Sequence, residues 1–332
     1  MQNLDQLWPD LEAAHAAKDA ERFQRRLDAS SLHDLYVGIN AADGRRMLIL
    51  RTDEVPSLPS SATEESQGLR LRVAPAADGR TEIQLMLNDP QNADLFDVLI
   101  GDITATVEIA GSEREGVNQL LVRLSQWQAL FRRLSPSGLT REQQIGLWGE
   151  LWLLRELLVP NVGMGAAIDG WQGHLGANQD IQLPALSIEV KSTTANALSK
   201  VRIANERQLE STVPTLVLAT ILLQSHPTDG LSLQGMVRQS REAASVAGSG
   251  QPFGQRLAAL GYREQDEDRY AQPCYEVREV SYFTVGDGFP RLTPDDLPSG
   301  VTKVSYDLAL DACRAFSLDT EALVRLLRST DA

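Results

Sequence analysis

The first 115 residues alternate between apolar and polar positions in a way that predicts two β-hairpins. The turns and the alternating segments beside them are Asp43-Gly44 between residues 35–40 and 45–50, and Asp78-Gly79 between residues 69–74 and 81–87. Asp-Gly suits the positive φ angles of tight hairpin turns, and the alternation is typical of half-buried strands. Helical spacing is found up to about Leu27 and again over about 91–109. Residues 1–115 are therefore expected to form an α+β region.

The middle of the chain predicts a helix over residues 117–134 and then, in order, a helix, three strands, a helix and a further strand. The expected helices cover residues 117–134, 140–160 and 202–210, and the expected strands cover residues 166–168, 180–183, 187–191 and 214–224. A glycine-rich loop is expected around the first of these strands. The last strand is continuously apolar, as expected for a strand buried on both faces of a sheet.

The remaining pattern predicts a C-terminal extension of strands and helices. A helix over residues 230–244 closes the central segment, and the extension is expected to have strands over 274–285 and 301–309 and a helix over 319–327. The chain is thus expected to divide into residues 1–115, 116–245 and 246–332. The fold class is α/β (α+β), with a mixed sheet flanked by helices in the central segment.

The charge distribution limits the kinds of partner. The formal net charge is -14 and the sequence pI is about 4.8, which argues against a protein that coats nucleic acid, because phosphate binding depends on Lys and Arg. Between Leu121 and Arg207, however, nine basic residues stand against seven acids, so this segment is +2 and the rest of the chain is -16. The central segment is the least acidic part of the chain.

Cellular location is inferred from the cysteines and the apolar runs. Cys274 and Cys313 have no metal-ligand spacing and suggest no disulfide framework, which favours a reducing compartment. The N-terminus has no apolar signal-peptide region, and no apolar run approaches the roughly 20 residues that cross a bilayer. A cytoplasmic protein without a membrane segment is expected.

Two carboxylates and a lysine fall on two neighbouring predicted strands. Because side chains alternate across a strand, Glu189 and Lys191 share one face while Val190 points the other way. Asp180, on the preceding strand, needs only a short connection to return beside Glu189. Two carboxylates on one sheet face are oxygen ligands of the kind that Mg²⁺ prefers, and the backbone carbonyl of Val190 could supply a third oxygen.

Glu150 is a third candidate, because it lies on an apolar helix stripe. The leucines on the same side of this helix are Leu147, Leu151, Leu154 and Leu157. A carboxylate at such a position costs free energy unless it is paired, and a metal or its bound water would remove that cost. Gly146 and Gly149 leave no side chain beside it and permit a close approach of helix and sheet. The alternative is a structural carboxylate paired with Arg141 or Arg155.

Other interpretations of these residues stay open. The Glu-x-Lys strand could be a solvated hairpin face, and Asp169 could replace Asp180 if the strand register differs. The four tryptophans in this part of the chain are expected to be core or helix-packing residues rather than base-stacking platforms. They are Trp127, Trp148, Trp152 and Trp171.

The pattern E-x29-D-x8-E-x-K, formed by Glu150, Asp180 and Glu189-Val190-Lys191 on a helix and two strands, resembles the PD-(D/E)XK nuclease superfamily. This resemblance covers residues 140–224 and implies a restriction-endonuclease-like core with the order αβββαβ. One position departs from the motif, since the residue before Asp180 is Gln179 and not proline. Over nearly its full length the chain also resembles bacterial PD-(D/E)XK-motif proteins found near restriction-type and phage-defence genes.

The resemblance implies Mg²⁺-dependent hydrolysis of DNA that leaves a 5′-phosphate, with Mn²⁺ as a possible substitute. It implies that Asp180, Glu189 and the Val190 carbonyl hold the metal, that Lys191 is the catalytic lysine, and that Glu150 reaches the metal directly or through water. Phosphate or supporting contacts would come from Gln208, Arg202 and Lys200.

The sequence is compatible with three functions. The first is a DNA endonuclease of a restriction or phage-defence system, with DNA and proteins of the same system as partners and a homodimer as a possible state. The second is a nuclease-fold scaffold or specificity subunit of a defence complex, which the -16 outside the central segment would suit. The third is a glycosidase using two of the carboxylates, which leaves Lys191 unexplained.

Overall fold

The structure is a computed structural model that describes residues 4–17, 23–56, 68–133, 138–172, 178–210 and 213–329. It divides into two units, Met1–Ser135 and Pro136–Ala332. This differs from the three expected segments, whose boundaries were placed near residues 115 and 245. The helix over 113–133 belongs to the first unit, and residues beyond 245 contribute to the same hydrophobic core as the central segment.

The first unit contains a five-stranded antiparallel sheet in the order β1-β2-β3-β5-β4. Its strands are β1 (Gln24–Arg26), β2 (Asp34–Ile39), β3 (Arg46–Thr52), β4 (Leu69–Pro75) and β5 (Thr81–Leu87), and its helices are α1 (Leu4–Ala16), α2 (Ala93–Glu108) and α3 (Glu113–Arg133). The pairing of β2 with β3 and of β4 with β5 confirms both predicted hairpins. The expected helix up to Leu27 is confirmed over Leu4–Ala16 but is wrong at its end, because β1 pairs with β2 there. Gly38 permits this pairing, since a Cβ on it would lie 2.7 Å from the Phe23 carbonyl oxygen.

The second unit contains a mixed sheet in the order β10-β11-β9-β7-β6, with β13 paired to β11, and a two-stranded ribbon of β8 and β12. The strands are β6 (Ile181–Gln182), β7 (Leu186–Thr193), β8 (Lys200–Ile203), β9 (Thr215–His226), β10 (Leu231–Ser232), β11 (Cys274–Val285), β12 (Tyr306–Ala309) and β13 (Ser317–Leu318). The helices are α4 (Arg141–Leu153), α5 (Val159–Gly170), α6 (Leu233–Val246), α7 (Gly250–Ala259) and α8 (Thr320–Ser329). The predicted α/β class with a mixed sheet is confirmed.

Strand β9 lies inside this sheet, parallel to β7 and antiparallel to β11. Its alternate residues enter two separate cores: Val217 and Ala219 pack with the helices on one face, and Leu216 and Leu218 pack with the β8–β12 ribbon on the other. The prediction that this strand is buried on both faces is confirmed.

The helix expected over residues 140–160 is present but longer than expected, and the strand expected over 166–168 is wrong. The helix that starts at the Thr140 capping box does not end at Pro160 but continues through a π-helical turn, Leu154–Leu158, into α5. Pro160 lies in the first turn of α5, directly after the π-helical turn, where its missing N–H removes one bond from the helical ladder. The expected strand over 166–168 is therefore helical, although Gly163, with φ 78°, interrupts the helical backbone.

The helix expected over residues 202–210 is a strand followed by turns. Val201 and Ile203 are buried while Lys200 and Arg202 are exposed, which is the alternation of a strand. The strand forms because β12, about a hundred residues later, supplies its hydrogen-bonding partner. Only the second half of the expected strand over 301–309 is regular.

One helical stretch in the described residues, Arg141–Gly170, is long and apolar enough by length and composition to cross a membrane. The sequence predicts no such run. Core helices of soluble proteins pass the same test, and here Leu147, Leu151 and Leu158 pack into the core of the second unit.

Candidate active site

Strand β7 brings two of the predicted residues together and places a third opposite them. It pairs with β6 through Ile181↔Ile188 and Gln182↔Ser187. Continuing this register by one residue places Asp180 opposite Glu189, on the same side of the sheet. A hydrogen bond from the Leu183 N–H to the Leu186 carbonyl closes the connection. The predicted return of the chain beside Glu189 is confirmed.

The Asp180 carboxylate is held at the edge of β7. Its Oδ2 accepts a hydrogen bond from the Val190 backbone N–H at 2.7 Å. The N–H and C=O of one strand residue point to the same edge, so the Val190 carbonyl lies on the Asp180 side of β7. This is the carbonyl that the sequence indicated as an oxygen donor.

Glu189 and Lys191 form a buried ion pair. The Lys191 Nζ lies 2.6 Å from Glu189 Oε1 and donates a second hydrogen bond to Gln208 Oε1 at 3.1 Å. The Glu189 side chain is 1% exposed and that of Lys191 is 18% exposed. The second carboxylate oxygen, Glu189 Oε2, is buried without a hydrogen-bond partner. A buried oxygen of this kind is costly unless a cation or a proton satisfies it.

Glu150 reaches the site from α4. Its Oε2 accepts a hydrogen bond from Trp171 Nε1 at 2.8 Å. The helix can approach β7 because Gly149 faces Ser192, whose Oγ would lie 1.8 Å from a Cβ at position 149. The close approach that the sequence attributed to Gly146 and Gly149 is confirmed for Gly149, whereas nothing lies within 4 Å of a Cβ at Gly146.

The alternative partners suggested for Glu150 make other contacts. Arg141 donates to Ser225 Oγ at 3.2 Å and lies over the Tyr275 ring. Arg155 bonds Gln239 at 2.7 Å and Glu156 at 2.8 Å. Glu150 is therefore paired with an indole N–H and not with an arginine.

The three acids and the lysine influence one another's ionisation. Burial raises the pKa of Glu150 to about 8, and the negative charge of Asp180 adds to this. Burial raises the pKa of Asp180, and burial together with Asp180 raises the pKa of Glu189 well above its ordinary value. Burial alone would lower the pKa of Lys191, but Glu189 and Asp180 outweigh it and the pKa is raised. One ammonium therefore stands among three carboxyl groups that favour protonation.

The donor set fits a hard divalent cation. Three carboxyl groups and a backbone carbonyl offer the oxygen ligands that Mg²⁺ prefers, and the unpartnered Glu189 Oε2 is a ligand atom without another contact. In the part of the chain that the structure describes, no three His, Cys, Asp or Glu side chains already lie close enough to hold a metal. Metal binding would therefore require movement of the carboxylates now bonded to Lys191 and Val190.

The remaining predicted residues differ in their positions. Gln208 lies on a turn rather than a helix, yet it contacts Lys191 as a supporting residue would. Lys200 and Arg202 are exposed on β8 and pair with Asp307 of β12. Asp169, the rival of Asp180, is exposed on α5.

Two contributors to the site were not predicted. Trp171 was expected to be a core residue, and it is fully buried and stacked on Phe253, but its indole also bonds Glu150. Gln179 was noted only as a departure from the motif, yet it is buried and bonds the turn that carries Gln208. No spacing in the sequence indicates either contact, because both join distant segments.

The mixed α/β fold, with a helix carboxylate, an aspartate and a Glu-x-Lys strand at one sheet edge, is that of the PD-(D/E)XK class. The chain belongs to the family described as "Putative PD-(D/E)XK family member, (DUF4420)", whose model matches residues 4–311. No curated protein and no solved structure matches the chain.

Proposed function

We propose that this protein is a Mg²⁺-dependent nuclease that hydrolyses DNA phosphodiester bonds, acting as an endonuclease in a restriction or phage-defence system. The observation that carries the proposal is the meeting of Asp180 with the Glu189–Lys191 ion pair at the edge of β7, where Glu189 Oε2 is buried without a hydrogen-bond partner. Family membership supports the same chemistry. Mn²⁺ is expected to substitute for Mg²⁺.

Each residue has a distinct part in this proposal. Asp180, Glu189 and the Val190 carbonyl would hold the metal, and Glu150 would reach it directly or through water. The metal would polarise the scissile phosphate and lower the pKa of an attacking water. Lys191, held by Glu189 and Gln208, would place its ammonium where negative charge develops on the phosphate.

The test is cleavage of DNA by the full-length protein with and without Mg²⁺. Asp180→Asn and Lys191→Met should each reduce the cleavage rate by at least about a hundredfold while the protein stays folded. Asp169→Asn is the matched control, because this exposed acid lies outside the site, and it should cleave normally. Full activity in the Asp180 or Lys191 variant would remove that residue from the mechanism.

A second candidate is a non-catalytic nuclease-fold scaffold or specificity subunit. The observations that favour it are the direct Lys191–Glu189 ion pair and the absence, in the described residues, of a metal cage that is already closed. Calorimetric titration with Mg²⁺ or Mn²⁺ separates the two candidates. A nuclease should bind the ion at a site that Glu189→Gln abolishes, and a scaffold should show no such site.

A further inference from the structure

Gln179 precedes Asp180 and is almost completely buried, with 1% of its surface exposed. Its side-chain Nε2 lies 3.2, 3.2 and 2.9 Å from the carbonyl oxygens of Arg207, Gln208 and Glu210. A carboxamide nitrogen carries two hydrogens, so the three carbonyls share two donors. One side chain therefore gathers the backbone of a turn that lies about thirty residues further along the chain.

The same turn is bonded at one more point. The carbonyl of Leu209, between the residues that Gln179 bonds, accepts a hydrogen bond from Arg291 Nη1. The carbonyls of residues 207–210 are thus all bonded by the side chains of Gln179 and Arg291. These two side chains supply hydrogen-bond partners to backbone that belongs to no helix or strand.

This turn carries Gln208 to the candidate lysine. Gln208 Oε1 accepts hydrogen bonds from the Ala204 backbone N–H at 2.7 Å and from Lys191 Nζ at 3.1 Å. A continuous series of contacts therefore runs from Gln179 through the turn to Gln208 and Lys191. Asp180 belongs to the same assembly through its peptide bond to Gln179.

We propose that Gln179 is a positioning residue that holds the Gln208 turn against Lys191, so that the ammonium keeps one orientation during turnover. The inference rests on the proposed function. At this position the PD-(D/E)XK motif has a proline, which has no side-chain donor and could not bond the three carbonyls. The structure thus assigns a role to the residue at which the chain departs from the motif.

Hydrogen exchange in the metal-free protein tests the anchoring without any need for activity. Gln179→Met keeps the length of the side chain and removes its donors. The amides of residues 204–210 should then exchange at least about tenfold faster, while those of β9 keep their protection. Gln144→Met is the matched control, because Gln144 also donates to one backbone carbonyl, that of Leu139, but lies outside the turn. Unchanged exchange at Ala204 in Gln179→Met would overturn the inference.

A kinetic cycle tests the positioning role. Gln179→Met should lower kcat by roughly ten- to a hundredfold with little change in KM, because small displacements of a catalytic group have effects of this size. In a Gln208→Ala background the same substitution should change kcat by less than about twofold. Effects that multiply instead would show that Gln179 does not act through Gln208 and would overturn the role.

Two further outcomes are covered: a variant that does not fold, and a wild-type protein that cleaves no DNA. If Gln179→Met does not fold, Gln179→Ser leaves room for water to bond the carbonyls and is used for both measurements, with the same expectations. If the wild-type protein cleaves no DNA, the proposed function fails, while the exchange measurement still decides whether Gln179 holds the turn.

Discussion

At the scale of single residues, Glu150 is subject to opposing effects. Burial and the charge of Asp180 favour its protonated form, whereas the Trp171 N–H and Lys191 favour its charged form, and the balance raises its pKa from the ordinary 4.5 to about 8. The folded protein therefore keeps a proton that the unfolded chain releases near pH 4.5. The stability linked to this proton is fully present below pH 4.5 and is lost as the pH rises through about 8.

Glu150→Gln should remove this loss. In EDTA, raising the pH from 5 to 8 should lower the Tm of the wild type by roughly 5 °C more than it lowers the Tm of the variant, or by a larger difference. The reason is that one unit of pKa shift corresponds to about 1.4 kcal/mol. Thermal melts across this pH range measure the difference. Glu142→Gln, at an exposed position on α4, should melt like the wild type. Equal pH dependence in the wild type and Glu150→Gln would contradict the raised pKa.

The sequence indicated Glu150 as a buried carboxylate but not its partner. Its place on an apolar stripe depends on nearby residues of one helix, which periodicity reveals. The Trp171 indole approaches from the end of α5, 21 residues away, and only the packing of the two segments decides that contact. The raised pKa of Glu150 follows from the same packing, so the sequence could not predict it either.

At the scale of elements, the packing of α4 on β7 depends on one glycine. A Cβ at Gly149 would lie 1.8 Å from Ser192 Oγ and 2.8 Å from Ser192 Cβ, so rotation of the serine hydroxyl alone would not relieve the clash. Gly146, on the same helix, has open space beside it. The two glycines form a natural matched pair.

Gly149→Ala should destabilise the protein by about 1–3 kcal/mol, because it overpacks the helix–sheet contact. Gly146→Ala should be neutral or stabilising by up to about 1 kcal/mol, since alanine lowers the backbone entropy lost in a helix. Urea unfolding monitored by circular dichroism measures both. Ser192→Gly added to Gly149→Ala should recover part of the loss. Equal stability of the two single variants would show that Gly149 does not set the approach.

The β8–β12 ribbon places Lys200 and Arg202 beside Asp307, at 2.7 and 3.6 Å. Asp307→Asn should therefore free two cations for phosphate and tighten DNA binding roughly two- to tenfold at low salt, with a steeper salt dependence. Fluorescence anisotropy with labelled DNA measures this. Asp311→Asn removes the same charge beside Arg314 and serves as the control. An equal gain in the control would attribute the effect to net charge alone.

The element errors have a common cause. Residues 202–210 contain polar and charged residues compatible with a helix, and strand β8 exists only because β12 pairs with it. Residues 163–170 are rich in glycine, yet Ala167 and Ile168 are buried in the core and the segment is helical. Tertiary pairing and burial outweigh local propensity in both segments.

At the scale of the whole molecule, the candidate site lies within one unit. Glu150, Asp180, Glu189 and Lys191 all belong to Pro136–Ala332, and the core of that unit includes residues of β11 and α8. Strand β11 pairs with β9 along its whole length. A chain that ends at residue 245 would expose β9 on that side.

A fragment of residues 136–332 should therefore fold and bind Mg²⁺ or Mn²⁺ within about threefold of the full chain, since domains with their own core fold alone. A fragment of residues 116–245, the segment expected from the sequence, should be insoluble or unfolded. Circular dichroism and calorimetry of both fragments test this. A folded 116–245 fragment would support the division expected from the sequence.

The sequence by itself determined those features that depend on residues close together in the chain. Turn chemistry and alternation located the hairpins of the first unit, and a connection of a few residues was enough to place Asp180 beside Glu189. The tertiary structure alone decided the Glu150–Trp171 contact, the turn held by Gln179, the pairing of β8 with β12 and the division at residue 135. These features depend on contacts between residues far apart in the chain. The pKa values of Glu150, Asp180 and Glu189 are raised by burial, which only the folded structure decides.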